Sequence, residues 1–262
     1  MTVMETIRDT APPPSPPAPV ITPQDSAILS RLTTASHILY VEGQNDFNHG
    51  QISARRGNGA EYWIRGAAMG FDEVTNNSFA LCGIDGRKQT GTVTVPPEWP
   101  IHSAVYGRHA KVNAVVHSHA PNALIFGSKQ RPLVPISHDA CPFVDGLGYF
   151  DLTTNTILDS ETANAMVDAL GTHKAILLKN HGLVTVGANI REATILAICL
   201  EQACALQLRA EAAGHIDWSD ATDARAKSDF IFSSVAIATY WSYFERKLKR
   251  VQNGTQLPQQ RV

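Results

Sequence analysis

The feature that most constrains the fold is an alternation of helical periodicity with short apolar strands that turn residues separate. From Ile190 to Ala212, apolar residues recur on one helical stripe, which predicts a long helix with one buried face. Clusters of Gly, Asn and Asp separate the strand-like segments in the first half of the chain, which favours hairpins. Those segments are Gln51–Arg56, Tyr62–Arg65, Phe79–Gly83 and Gly91–Val95. The pattern predicts a layered α/β domain around a mixed, largely antiparallel sheet.

The predicted domain covers residues 22–250. Thr22-Pro23-Gln24-Asp25 is typical of a helix start, since it combines an N-cap, a proline at the first helical position and an acid in the first turn. Gly43 is expected to end this helix. Other expected helices are Glu98–His109, Pro121–Phe126 and one continuous helix from about Ala221 to Arg250. Other expected strands are Val112–His117, Ala175–Lys179 and Leu183–Val186.

Both ends of the chain are predicted to be tails. Residues 1–21 hold most of a run of closely spaced prolines, which favours extended polyproline geometry. We expect a disordered tail there, with an SH3-type ligand as the alternative. Residues 251–262 are expected to be a flexible tail, and the basic end of the last helix, Arg246–Arg250, to be a solvated terminus rather than a partner site.

Composition argues against two classes of partner. With 22 basic and 24 acidic residues the net charge is −2, so the chain has no excess of positive charge with which to bind nucleic acid or anionic lipid. The longest runs without a charged residue, Val112–Ser128 and Phe230–Phe244, are too short and too polar to predict a membrane span.

Met1–Thr10 lacks the apolar core of a secretory signal. The four cysteines form no C-x-x-C pair, so we expect reduced thiols and a cytoplasmic location.

Three of the ten histidines stand where strands end. His117 and His119 close the apolar run Ala114–Val116, and residues two apart on a strand share a face with Cα atoms about 6.6 Å apart. His181 closes another apolar strand and precedes Gly182, which permits a sharp turn and a close backbone approach. Three imidazoles and one open position are the usual set of a catalytic zinc site. Each motif alone is also compatible with ordinary strand-end or loop histidines.

Glu98 is the candidate acid of this site. It stands at a predicted helix start, where the helix dipole favours a carboxylate, although a plain first-turn glutamate fits the same place. If Glu98 faces the histidines, it is a fourth ligand that can let go, or a proton carrier. His102 lies one turn further on, to support the site or simply to pack. The chain has no G-x-S-x-G, Walker or G-x-G-x-x-G motif. The sequence therefore does not support a serine hydrolase, a P-loop nucleotide site or a dinucleotide site.

In this order, these residues resemble the class II aldolase/adducin family. The resemblance runs from about Ser26 to Ala213 and is specific to the superfamily rather than to one reaction. The matching pieces are Gly50–Arg55, Pro97–His102, Val115–His119, Asn180–Leu183 and the helix that contains Arg191-Glu192-Ala193 and Glu201. The resemblance implies a three-layer α/β/α fold, usually in a four-fold homotetramer with active sites near subunit interfaces. It also implies a divalent metal (Zn, Mn or Fe(II)) held by His117, His119 and His181, with Glu98 as supporting acid and proton carrier.

Departures from the family pattern point to the substrate class. Where sugar-phosphate aldolases of this family bind phosphate, the chain has Gly50-Gln51, the segment Arg65–Ala68, and Pro96 and Pro97 in place of two serines. Proline lacks both the hydroxyl and the N–H, so a phosphate would lose most of its donors. The position of the aldolases' catalytic tyrosine aligns with His138, as in family decarboxylases that act on hydroxylated aromatic or pyridine carboxylates. A plain loop histidine is the alternative for His138.

Three functions follow from the resemblance. The first is a metal-dependent lyase, a decarboxylase or an aldolase, acting on a non-phosphorylated hydroxy, keto or aromatic carboxylic acid. In this lyase the metal acts as a Lewis acid, and Glu98 or His138 delivers a proton. Arg55 or Arg65 binds a substrate carboxylate; the alternative is that each arginine is a plain surface charge. The second is a non-haem iron oxygenase that shortens the side chain of a prenylated hydroxyphenylpyruvate, as some relatives in aminocoumarin pathways do. The third is a non-catalytic, adducin-like oligomerisation module, which the retained histidines disfavour.

Overall fold

The computed structural model describes residues 20–57 and 59–255 of the chain. Eight strands in these ranges form one sheet: β1 Gln51–Arg55, β2 Glu61–Arg65, β3 Phe79–Gly83, β4 Lys88–Thr90, β5 Ala114–Ser118, β6 Gly148–Phe150, β7 Ala175–Leu178 and β8 Gly182–Gly187. The helices are α1 Pro23–Val41, α2 Trp99–Arg108, α3 Pro121–Phe126, α4 Ser160–Leu170, α5 Ile190–Ala213, α6 Ala221–Ile231 and α7 Ser234–Gln252, with a 3₁₀ helix at His138–Phe143. Residues 1–19 of the predicted proline-rich tail and 256–262 of the predicted C-terminal tail lie outside the described residues.

The sheet is mixed and largely antiparallel, as predicted. Its strand order is β4-β3-β2-β1-β5-β8-β7-β6, and among the described residues only β6 and β7 pair in parallel. The helices α1, α3, α5 and α7 contribute to an apolar core on one face of the sheet, and α2 and α4 cover the other face. The predicted three-layer α/β/α fold is therefore confirmed.

The start of the first helix has the predicted chemistry. The Thr22 side chain accepts a hydrogen bond from the backbone N–H of Asp25, and the Asp25 carboxylate accepts one from the N–H of Thr22, which completes a capping box. At the other end, Gly43 follows the last turn with φ +79, a conformation in which glycine carries no steric penalty.

Two predicted elements are wrong. Gly91–Val95 is not a strand, because the edge strand β4 ends at Thr90, and Gly91 turns the chain with φ +108. Val93 and Val95 instead pack against the core from a loop, which explains their apolar character. The predicted continuous last helix is two helices, because the Ser233 side chain caps a new helix start by accepting from the N–H of Ala236.

Four elements were not predicted: β4, β6, α4 and the 3₁₀ helix. β6 is only three residues long, which is too short for a period to be visible. α4 follows the N-cap Asp159, whose side chain accepts from the N–H of Thr162, and this N-cap is the signal that would have found the helix.

By length and composition, α5 is the one helix among the described residues that could cross a membrane. Two thirds of its most apolar window (67%) is buried inside the domain, as in the core helix of a globular fold.

The Glu201 carboxylate of α5 accepts hydrogen bonds from the backbone N–H groups of Asn122 and Ala123 and so caps α3.

Candidate metal centre

The three candidate histidines converge at one end of the sheet. His117 lies on β5, His119 follows directly after that strand, and His181 lies in the turn that joins β7 to β8. β5 pairs with β8, with His117 opposite Val184 and Ser118 opposite Leu183. This pairing brings the end of β5 beside the start of β8, and hence beside the turn that carries His181.

The turn at His181 depends on two neighbours. Asn180 adopts φ +54, so it is Asn180, rather than Gly182, that makes the sharp turn. Gly182 allows the predicted close approach, because a Cβ there would lie 2.3 Å from the carbonyl oxygen of Ser118. A larger residue at position 182 would push β8 away from β5 and separate the histidines.

The imidazole rings form a nearly equilateral triangle. The ring centroids lie 5.2 Å apart for His117 and His119, 5.0 Å for His117 and His181, and 5.1 Å for His119 and His181. Imidazoles that bind one tetrahedral ion at about 2.0–2.1 Å place their centroids about 5 Å apart. One ligand atom from each histidine and one from Glu98 lie within 4.8 Å of one another. The arrangement fits a divalent cation without rearrangement.

Hydrogen bonds fix the tautomers of two of the rings. Nδ1 of His117 lies 2.9 Å from the carbonyl oxygen of Leu183, and Nδ1 of His119 lies 2.7 Å from Oδ2 of Asp46. Both oxygens only accept, so each Nδ1 carries a proton and Nε2 is the ring nitrogen that remains to bind a metal. The Nε2 atoms of His117 and His119 are buried and have no hydrogen-bond partner within the described part of the chain. Buried nitrogens without a hydrogen-bond partner are what a metal ion would satisfy.

Glu98 lies at the N-terminal end of α2 and closes the cluster. Its Oε2 is 3.3 Å from Nε2 of His117, and its Oε1 is 3.2 Å from Nε2 of His181. Oε1 also accepts a hydrogen bond of 3.3 Å from the N–H of Ile157. The carboxylate therefore faces the histidines, as the fourth-ligand and proton-carrier hypotheses both require.

The electrostatics of the cluster favour a bound cation. Burial raises the pKa of Glu98, but the charges and hydrogen bonds of His117 and His181 together outweigh burial and hold the pKa well below its usual range. Burial lowers the pKa of His119 to about 4, with the charge of His117 as the next cause, so this ring is neutral at pH 7. The ionised Glu98 and the neutral His119 are thus in the state in which these groups bind metal. Burial lowers the pKa of His117, but Glu98 outweighs burial and raises it, so a metal ion would take the place of the proton that Glu98 stabilises there.

An open cavity of about 520 Å³ borders the cluster. It is lined by Glu98, His119 and His181, by Gln51 of the Gly50-Gln51 pair, and by residues that the sequence did not single out as site residues: Asp46, Asn48, His49 and Thr154–Thr156. The His49 ring centroid is 5.4 Å from that of His119. The segment Asn45–Gly50 before β1, which is polar except for Phe47 and Gly50, is the signal that could have found Asp46 and His49, but nothing in the sequence gives their distance to His119.

The two candidate arginines are placed differently. Arg65 lines the cavity and is fully buried, and its guanidinium donates to the backbone carbonyls of Asn48 and Gly50. Burial lowers the pKa of Arg65 to about 10, so it stays charged at pH 7, and its Nε has no partner in the described ranges. Arg55 lies away from this cavity, where it donates to the carbonyls of Val112 and Tyr106. The structure thus brings Arg65, but not Arg55, to the candidate site.

His138 and His102 do not line the cavity of the metal cluster. His138 begins the 3₁₀ helix and borders a separate cavity with Cys199 and Tyr240. His102 is fully buried beneath the cluster, with its Nδ1 2.7 Å from Oγ of Ser53. The role proposed for His138 stays a prediction.

Comparison with known proteins places the chain among relatives that share these elements. The family model described as "Class II Aldolase and Adducin N-terminal domain" matches residues 30–208. The solved structure titled L-fuculose 1-phosphate aldolase, from Glaciozyma antarctica, superposes with a TM-score of 0.79 at 26% identity, covering 93% of this chain and 96% of that one.

Two curated relatives from Streptomyces are more similar in sequence. The 4-hydroxy-3-prenylphenylpyruvate oxygenase/4-hydroxy-3-prenylbenzoate synthase of Streptomyces roseochromogenus subsp. oscitans is 35% identical over 160 residues, which are 58% of this chain and 56% of that protein. Decarboxylase NovR of Streptomyces niveus is 34% identical over 160 residues, 58% of this chain and 57% of that protein. The matched region thus spans little more than half the length of each relative.

Proposed function

The chain belongs to the class II aldolase and adducin family, and on that premise we propose that it is a metal-dependent enzyme that breaks a carbon–carbon bond, as a decarboxylase or an aldolase. The proposed substrate is a non-phosphorylated hydroxy, keto or aromatic carboxylic acid. The observation that carries the proposal is the triangle of His117, His119 and His181 beside an open cavity, with two buried Nε2 atoms that have no hydrogen-bond partner in the described ranges.

In this proposal, His117, His119 and His181 hold a divalent cation, and Glu98 is its fourth ligand or the proton carrier. A cation in this place supplies Lewis-acid stabilisation of the negative charge that bond cleavage leaves on the substrate. Glu98 can move a proton at Oε1 or Oε2, because both atoms face the histidines at the border of the cavity. Arg65 adds a fixed positive charge in the cavity wall, which favours a substrate carboxylate.

The cavity wall supports the assignment to non-phosphorylated substrates. Pro96, Pro97, Ala67 and Ala68 line the cavity, and none of their side chains donates a hydrogen bond. The two prolines also lack a backbone N–H. A phosphate dianion bound against these four residues would find no side-chain donor among them when it leaves water.

Elemental analysis of the wild type and of His117→Ala tests the metal assignment. After purification without chelators, we expect about one metal ion per wild-type chain, and neither metal nor turnover in His117→Ala. His215→Ala is the matched control, because His215 is exposed and far along the chain from the cluster. Retention of metal and full activity by His117→Ala would refute the ligand assignment.

A second candidate, a non-haem iron oxygenase, is favoured by the relative whose printed name includes an oxygenase activity. Imidazole ligands do not discriminate strongly between zinc and iron, so the same three histidines suit either metal. Assays with hydroxylated aromatic acids in air and under strict anaerobiosis separate the two candidates. Oxygen consumption in proportion to product supports the oxygenase, and product formed without oxygen supports the lyase.

We further propose that the active form is a cytoplasmic homotetramer that binds a small-molecule acid. Exposed apolar side chains of α6 and α7, among them Phe230 and Val235, support association with other copies. In the single chain, His138 borders another cavity, so any part in the reaction would need a neighbouring subunit to carry it there. The remaining alternative, an adducin-like module without catalysis, predicts a purified protein that holds no metal.

A further inference from the structure

The short segment from Glu42 to Asp46 connects the end of α1 with the metal cluster. Its alternate residues, Glu42, Gln44 and Asp46, each contact a different part of the protein. Glu42 is the C-cap of α1, and its backbone N–H donates to the carbonyl of Ile38. At the other end of the segment, the Asp46 carboxylate accepts the hydrogen bond of 2.7 Å from Nδ1 of His119. The place of this carboxylate therefore depends on how the whole segment is held.

A buried ion pair holds the first residue of this segment against the last helix. Nζ of Lys247, on α7, lies 2.6 Å from Oε1 of Glu42, and the two side chains are only 13% and 3% exposed. A buried carboxylate that loses its cation is strongly unfavourable, because the protein has already removed the water that would stabilise its charge. Removal of the Lys247 charge would therefore favour a displacement of Glu42 towards water.

Gln44 fixes the middle of the segment to the end of β5. Its Oε1 accepts a hydrogen bond of 2.7 Å from Oγ of Ser118, and both residues are buried. Ser118 stands between His117 and His119 in the chain. The backbone N–H of Gln44 also donates to the carbonyl of Leu39 in α1. The segment is thus held at three points, and the loss of one of them loosens the geometry that the other two maintain.

We propose that Lys247 is a positioning residue for the metal centre. Its ion pair with Glu42 keeps the segment in the place from which the Asp46 carboxylate orients the His119 imidazole. The inference rests on the metal site of the proposed function, and it adds a residue of the last helix that does not line the cavity of the cluster. Because the hydrogen bond to a metal-binding imidazole contributes to metal affinity, this affinity depends on the contact between α7 and the end of α1.

The zinc affinity of the full-length protein, measured by competition with a chromogenic chelator, tests the proposal. Lys247→Met keeps an apolar stem and removes the charge, so it should weaken zinc binding at least about fivefold in protein that circular dichroism shows to be folded. Lys247→Arg keeps the charge and should bind zinc within about twofold of the wild type. Arg131→Met is the matched control, because it removes the cation of another ion pair, that of Arg131 with Glu211 at 2.5 Å, and should leave zinc affinity unchanged.

Combination with Asp46→Asn separates positioning from a general loosening of the fold. Because Lys247 acts through the Asp46 carboxylate, Lys247→Met should weaken zinc binding by less than about twofold in the Asp46→Asn background. Glu42→Gln breaks the same ion pair from the other side and should also weaken zinc binding, which covers the case in which Lys247→Met does not fold.

Three results would each overturn the proposal. They are an unchanged zinc affinity when the ion pair is broken, an equal loss of affinity in Arg131→Met, and the same loss from Lys247→Met with and without the Asp46 carboxylate. A wild type that binds no zinc would instead contradict the metal site of the proposed function, and the inference with it.

Discussion

Replacing Asp25 with asparagine tests whether one buried carboxylate stabilises the join between α1 and the sheet. Only 1% of Asp25 is exposed. Its oxygens accept hydrogen bonds of 2.9 Å from Nε1 of Trp63 on β2, from Nε of Arg56 and from the N–H of Thr22. These donors connect the start of the first helix with the first two strands.

The magnitude follows from the pKa of Asp25. Burial raises this pKa, but the hydrogen bonds from Thr22, Trp63 and Arg56 outweigh burial and lower it from 3.8 to about 2. A difference of nearly two pKa units between the unfolded and folded states corresponds to about 2 kcal/mol of folding free energy. Because the folded pKa is the lower one, this stability is fully present above about pH 4 and is lost as the pH falls through 2.

Urea unfolding at pH 7 and at pH 3 measures the effect. At pH 7, Asp25→Asn should lower the free energy of unfolding by about 2 kcal/mol or more, and at pH 3 the difference from the wild type should shrink by about half that amount. Glu61→Gln is the control, because Glu61 pairs with Arg56 in a more exposed position and should cost less than about 1 kcal/mol. An equal difference between Asp25→Asn and the wild type at both pH values would show that the charge of Asp25 is not the source.

The remaining predictions concern the metal centre and its backbone. Asp46→Asn should weaken zinc affinity about 10–100-fold without unfolding the domain, because the Asp46 carboxylate orients a metal-binding imidazole at 2.7 Å. Competition with a chromogenic chelator measures this, and an unchanged affinity would contradict the role. Gly182→Ala should destabilise the protein by about 1–3 kcal/mol and reduce its metal content, because the new Cβ would lie 2.3 Å from a backbone oxygen of β5. Gly107→Ala, in α2 with its nearest neighbour at 3.8 Å, should instead be stabilising by up to about 1 kcal/mol; thermal unfolding compares the two.

Much of the fold was predictable because local chemistry decides it. The N-cap at Thr22, the turn at Gly43 and the apolar stripe of α5 act over a few residues, and the structure confirms each of them. The predictions that were wrong concern places where a local signal competes with packing. Val93 and Val95 have the apolar, β-branched side chains typical of a strand, but they pack against the core from a loop. Helical residues flank Ser233 on both sides, but the N-cap at Ser233 starts a new helix there.

For the site, the sequence determined which side chains were available: histidines at the ends of two apolar strands, and an acid at the start of a helix. Only the tertiary structure decided that they meet, because the pairing of β5 with β8 joins distant segments, as in the contact between His117 and Leu183, which are 66 residues apart. The same long-range packing brought Asp46 and Gln51 to the centre and directed Arg55 away from it. The physical reason is that strand periodicity fixes the face on which a side chain points, whereas its distance to other segments depends on sheet order and loop path, which no local pattern encodes.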